Sequence, residues 1–305
     1  MQQVAPGGPS GLKDMRNLVL LALFGLAAGC GVDPAVPQYM LDLPRSEEET
    51  LRVCEEIRHE LGEETHVERV EDYFFVATND SVERFVEYKS TITRVFRYLY
   101  EDYFTRKPEK PIRVYLFRDK TSYDSYCRAT YDKPPATPYG FYMSRERKMV
   151  MNISTGTGTL AHELVHPLLA EDFPGVPSWF NEGFASLFEQ SGERGGKMVG
   201  FVNWRLPKLR QLLKINRAIA LPDLLKTTTE QFYGEDDRGV HYATARYLCL
   251  FLQERRELIR FYAEFRATAK EDPTGADALQ TVTGKSPDEL EPLWRDWVLA
   301  LRYQD

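Results

Sequence analysis

Two of the chain's five histidines, His162 and His166, lie four residues apart in "HELVH", and Glu163 directly follows the first. On a helix that spacing makes the two side chains neighbours, with Cβ atoms about 5–6 Å apart. Two imidazoles so placed can each reach one metal ion at about 2.0–2.1 Å, the length of a zinc–nitrogen bond. Glu163 points elsewhere on the turn and can lie beside a metal-bound water without being a ligand. A catalytic zinc takes three protein ligands and keeps a fourth position for water. Glu182, sixteen residues after His166 in "NEGFA", is the natural third ligand. The chemistry would be hydrolysis by a metal-activated water. The competing reading is a helix with two ordinary histidines and a solvated glutamate, and the short motif alone leaves both open.

The positioning elements can be read around it. One helix is expected over about 159–170, with Leu160, Leu164, Val165 and Leu168 as an apolar face. A second is expected over about 178–190, with Ser178 as its cap and Gly183 where two helices approach closely. Pro174, Gly175 and Pro177 suit the return between them. Pro167 removes a backbone donor and predicts a kink after His166. Upstream, Ser46 and Glu49 suggest a capped helix to about Leu61, stopped by Gly62. Residues 66–79 read as a strand or hairpin arm and 111–119 as a strand. Phe85, Ile92, Val95, Phe96, Leu99 and Phe104 mark one helix face over 81–104, and 121–130 reads as a short helix. Residues 139–154 suggest two short strands around a charged turn. Downstream the pattern is all helix, near 205–217, 239–254, 256–270, 274–282 and 287–302. The class is therefore α+β, with the histidine stretch at the junction.

The N-terminus places this domain. Lys13 and Arg16 precede an apolar run, Leu18 to Ala28, that ends in small residues. That is a signal-peptide layout, and the run is too short to read as a spanning helix. Leu26, Ala27, Ala28 and Gly29 before Cys30 resemble a bacterial lipobox, which implies cleavage before Cys30 and lipid on its sulfur. Met15 is a candidate start. No Asp follows Cys30 directly, compatible with the outer-membrane sorting that the resemblance to Gram-negative lipoproteins implies. The expected organisation is a signal peptide (1–29), a proline-bearing tether (30–45), an α/β part with the metal site (46–190) and a helical part (191–305). Cys249 reads as a buried apolar residue; Cys54 and Cys127 could pair in an oxidising compartment, which spacing does not decide. Trp294 and Trp297 read as core, His59 and His66 as surface or packing residues. A net charge of −7 argues against a nucleic-acid binder, which would carry a basic patch.

"HELVH" followed by "PSWFNEGFA" resembles the gluzincin metallopeptidases, most closely the peptidase MA-like family. "PIRVYLFRDKTSYDSY", "GFYMSRERKMVMN", "HYATARYLCLFL" and "SPDELEPLWRDW" resemble it too, so the similarity covers about residues 66–302. It implies a zincin-like fold whose edge strand borders the cleft, here assigned to 148–154. It implies one zinc ion on His162, His166 and Glu182, with Glu163 as general base. In many gluzincins a tyrosine or histidine stands near the oxyanion, and "GVHYATARYL" offers Tyr242, favoured, and His241. The activity implied is hydrolysis of a peptide or protein substrate by an enzyme facing the periplasm or the cell surface. A catalytically inactive envelope protein that keeps the fold for binding or structure is the alternative.

Overall fold

The computed structural model describes residues 42–234 and 238–303. The signal peptide, Cys30 and most of the tether lie outside the described residues.

The architecture is α+β. Helix α1 (Glu47–Leu61) starts at Ser46, whose hydroxyl accepts from the Glu49 amide at 3.1 Å. The stretch 66–79 is a whole hairpin, β1 (His66–Val70) and β2 (Phe74–Thr78), followed by α2 (Val82–Asp102). Then come β3 (Ile112–Phe117), α3 (Lys120–Tyr131), β4 (Gly140–Met143) and β5 (Lys148–Asn152). The sheet order is β1-β2-β3-β5-β4; β2, β3 and β5 run parallel, and the outer strands β1 and β4 are antiparallel to their neighbours.

The period-two alternation of a strand splits the sheet into two packed faces. Phe75, Ala77, Tyr115 and Val150 meet Val53 and Ile57 of α1 and Tyr123 and Cys127 of α3. Phe74, Val76, Val114, Leu116, Met149 and Met151 face the main core, which includes Ile92, Val95 and Leu99 of α2. That core continues without a break through the histidine helix to Trp294 near the chain's end.

Strand β5 lies one place inside the sheet, paired with β3 on one side and β4 on the other. The assignment of 148–154 as the edge is therefore corrected: the charged turn folds β4 back onto it, and β4 forms the edge. Helix α4 (Thr157–Asp172) then crosses the main face, and α5 (Ser178–Leu187) follows. Helix α4 runs on through Pro167, the position at which a kink is expected. Ser178 is the first residue of α5 rather than its cap; its hydroxyl bonds the Thr229 hydroxyl at 3.2 Å.

The second part is not all helix. Strands β6 (Ser191–Arg194) and β7 (Lys197–Gly200) form a hairpin. Its two-residue turn is Gly195-Gly196, both left-handed at φ 63° and 74°, as a tight hairpin turn requires. Helices α6 (Leu206–Lys214), α7 (Leu221–Leu225), α8 (Thr229–Phe232), α9 (Arg238–Glu254), α10 (Leu258–Thr268), α11 (Ala276–Thr283) and α12 (Pro287–Ala300) complete the chain. Cys54, Cys127 and Cys249 are all buried, and among the described residues Cys54 and Cys127 form no disulfide. Among the described residues no helix is long and apolar enough to cross a membrane.

Candidate metal centre

Helix α4 carries His162, Glu163 and His166 on its buried length, and α5 brings Glu182 against them. A ligand atom from each of His162, His166 and Glu182 lies within 4.8 Å of the others. Glu182 Oε2 is 3.4 Å from His162 Nε2 and 3.8 Å from His166 Nε2. These three atoms are buried and have no hydrogen-bond partner among the described residues. Buried polar atoms are normally satisfied, so three unsatisfied donors and acceptors facing one point fit a single cation. Glu163 Oε2 is likewise buried without a partner.

Each of the three candidate ligands is held from behind. Asn181 Oδ1 lies 2.9 Å from His166 Nδ1, which leaves His166 Nε2 as the free nitrogen. Glu189 Oε1 lies 3.3 Å from His162 Nδ1, an ionic contact rather than a well-aligned hydrogen bond. Glu189 is in turn held by Arg205, whose Nη2 is 2.5 Å and Nε 3.3 Å from its two oxygens, and by Asn203 Nδ2 at 3.2 Å. Tyr233 donates to Glu182 Oε1 at 2.7 Å. Such outer contacts fix the tautomer and orientation of metal-binding side chains.

The helices are locked where they meet. A Cβ on Gly183 would lie 2.8 Å from the Ala245 backbone, so α5 and α9 touch at the residue after Glu182. At the start of α4, a Cβ on Gly158 would lie 2.2 Å from the Glu189 carbonyl oxygen. Helix α4 therefore packs directly against the segment that carries Glu189.

The electrostatics follow from burial and pairing. Burial opposes charge on His162, but Glu182 and Glu189 on its two ring nitrogens outweigh it and raise it to about 10. Burial holds His166 below the ordinary histidine value, against the pull of Glu182. Glu182 is lowered: burial would raise it, but the charges of His166 and His162 prevail. Burial would also raise Glu189, yet Arg205 and His162 bring it to about 2. Glu163 has no such partner, and burial raises it to about 7 against the opposing effect of His162.

The two oxyanion candidates separate. His241 Nδ1 lies 3.0 Å from the Phe232 carbonyl, so that ring anchors α8. Tyr242 is fully buried, and its hydroxyl has no partner among the described residues. Burial, then the charge of Glu182, raises its phenol well above the ordinary value. His59 is exposed, and His66 stacks on Phe85 at 5.9 Å, both away from the centre.

Asn181, Glu189, Asn203, Arg205 and Tyr233 were not singled out in the sequence. Asn181 and Glu189 sit on the ligand stretch, one before and seven after Glu182. Only the fold brings Asn203, Arg205 and Tyr233 to it. The sequence matches no protein-family model and no curated protein.

Proposed function

We propose that this protein is a zinc-dependent metallopeptidase of the gluzincin type with a zincin-like fold, anchored to the bacterial envelope through lipid on Cys30. The observation that carries the reading is the convergence of His162 Nε2, His166 Nε2 and Glu182 Oε2 beside Glu163 Oε2, all four without a hydrogen-bond partner among the described residues. Two imidazoles and one carboxylate are a donor set typical of catalytic zinc. Zinc bound there would lower the pKa of a water to about 7 and polarise a substrate carbonyl.

The chain's own residues supply the rest. Glu163, raised to about 7 by burial, is poised to take a proton from the attacking water and return it to the leaving amine. Burial strengthens that exchange, because few water dipoles compete for the carboxyl. Tyr242, with a free hydroxyl and a raised pKa, keeps its proton and can donate it as a hydrogen bond to the carbonyl oxygen as charge develops there. Asn181 and Glu189 hold the imidazoles, so the histidines need not reorganise during the reaction.

One observation favours the alternative, an inactive zincin-fold envelope protein. His162, Glu163 and Glu182 are at most 1% exposed and His166 8%, so little of the centre's own surface faces a substrate. The test separates the readings. One zinc per chain in the wild type, lost in His162→Ala and in Glu182→Ala, is expected. Glu163→Gln should keep the zinc and lose about 10²–10⁴-fold in peptide hydrolysis. Full turnover in Glu163→Gln would refute the mechanism, and zinc without hydrolysis of any peptide would favour the scaffold.

A further inference from the structure

We infer that Tyr233 is a positioning residue that keeps Glu182 a one-oxygen ligand and so holds one coordination place open. The inference rests on the metal reading above and concerns which atoms of Glu182 are available.

The two carboxylate oxygens of Glu182 are in different situations. Oε2 faces the histidine pair and has no hydrogen-bond partner among the described residues. Oε1 accepts from the Tyr233 hydroxyl at 2.7 Å. With both oxygens free, two imidazoles and a two-oxygen carboxylate would offer four protein donor atoms, which is a filled tetrahedral site. Structural zinc sites are filled in this way, whereas catalytic ones keep a place for water. The Tyr233 bond draws Oε1 out of the donor set and leaves three donor atoms.

Tyr233 is built in rather than resting there by accident. It directly follows α8, which carries a complete capping box between Thr228 and Gln231. Helix α8 is clipped to the first residue of α5 by the Ser178–Thr229 hydroxyl pair at 3.2 Å. Phe232 is fully buried, and its carbonyl is held by His241 Nδ1 at 3.0 Å. The ring of Tyr233 packs edge-on against Phe232 and Tyr242, with centroids 5.3 and 6.3 Å away. The phenol is thus fixed relative to the very helix that carries Glu182. This also gives His241 a use: it anchors the segment that delivers Tyr233.

The experiment loads the whole protein with zinc or with cobalt(II), whose visible absorption reports coordination number. Tyr233→Phe removes only the hydroxyl. The variant should still bind one metal per chain. Its cobalt bands should move in wavelength while keeping four-coordinate intensity, as the second Glu182 oxygen takes the place of water. Azide should shift the wild-type bands and leave those of the variant nearly unmoved. Tyr233→Leu, which lacks the donor but keeps an apolar contact with Phe232, should behave in the same way. Thermal unfolding identifies any variant that has lost its fold, and the other variant then decides. Wild-type spectra and a wild-type azide response in a folded variant would overturn the inference and leave the metal centre standing. A wild type that takes up neither zinc nor cobalt would overturn the functional reading, and this inference with it.

Discussion

Glu189 performs two tasks that can be separated by mutation. It pairs with a buried arginine, and it contacts a histidine of the candidate metal centre. Arg205 is 3% exposed, and Glu189 engages its Nε and Nη2. Removing one partner of such a pair leaves a buried charge without compensation, at a cost of about 3–5 kcal/mol. Glu189→Leu should therefore lower the unfolding free energy by that amount. Replacing both partners with apolar groups of similar size is often nearly neutral, so Glu189→Leu with Arg205→Met should recover most of the loss. Metal binding should not recover. His162 Nδ1 loses its carboxylate in the single and the double variant alike, and loss of such an outer contact costs about 10–100-fold in affinity. That is about 1.4–2.8 kcal/mol of binding free energy. Urea unfolding without metal measures the first effect, and competition with a zinc chelator measures the second. If the double variant regained wild-type zinc affinity together with stability, Glu189 would serve the fold alone and the reasoning would fail.

Two further predictions concern the frame around the site. Gly183→Ala would gain about 1 kcal/mol in an exposed helix, but its methyl would press on the Ala245 backbone at 2.8 Å. Overpacking costs about 1–3 kcal/mol, so a lowered denaturant midpoint is expected, and a raised one would show that α5 and α9 do not meet as described. Asp172 is buried and accepts from the Thr105 and Arg106 amides, both at 2.7 Å, and from Tyr262 and Arg266, both at 2.5 Å. Burial would raise its pKa, but these donors hold it below the ordinary carboxylate value. Its contribution is present above the unfolded value of about 3.9 and fades as pH falls through the lower folded one. The stability gap between wild type and Asp172→Asn should thus be constant near neutrality and narrow below about pH 4; a gap unchanged at pH 3 would refute the assignment.

The fold was legible where the pattern is local. The apolar face of α2, the cap at Ser46, the two strands around the charged turn and the α+β class can all be read from short windows. Two expectations failed because they depend on which segments pair. Nothing in "KMVMN" says whether one neighbour or two will bond to it; β5 became an inner strand because β4 folded back on it. Ser178 looks like a cap, but the approach of α8 gave its hydroxyl another partner. Pro167 predicts a kink from local sterics, and α4 runs on through it, with Leu164, Val165, Leu168 and Leu169 around it all buried. Burial of that apolar run offsets the lost backbone bond and keeps α4 whole. The β6–β7 hairpin was a missed local signal, since "RGGK" carries the Gly-Gly pair that a two-residue turn requires.

The candidate centre divides along the same line. His162, Glu163 and His166 are fixed by one helical turn, and Glu182 by a short proline-bearing return, so their spacing exposes them. Two of their supports come from elsewhere, Arg205 from the start of α6 and Tyr233 from the end of α8. No spacing rule joins these to "HELVH", because the distance between them is set by packing and not by the helix repeat. A charge argument could have found one of them. A carboxylate so near two histidines and Glu182 needs a cation if it is to be buried and ionised. Once Glu189 is placed in the core, a cation is required close by, and Arg205 is one that the segment after the β6–β7 hairpin delivers. The hairpin that the sequence reading passed over is thus part of what holds His162 in place.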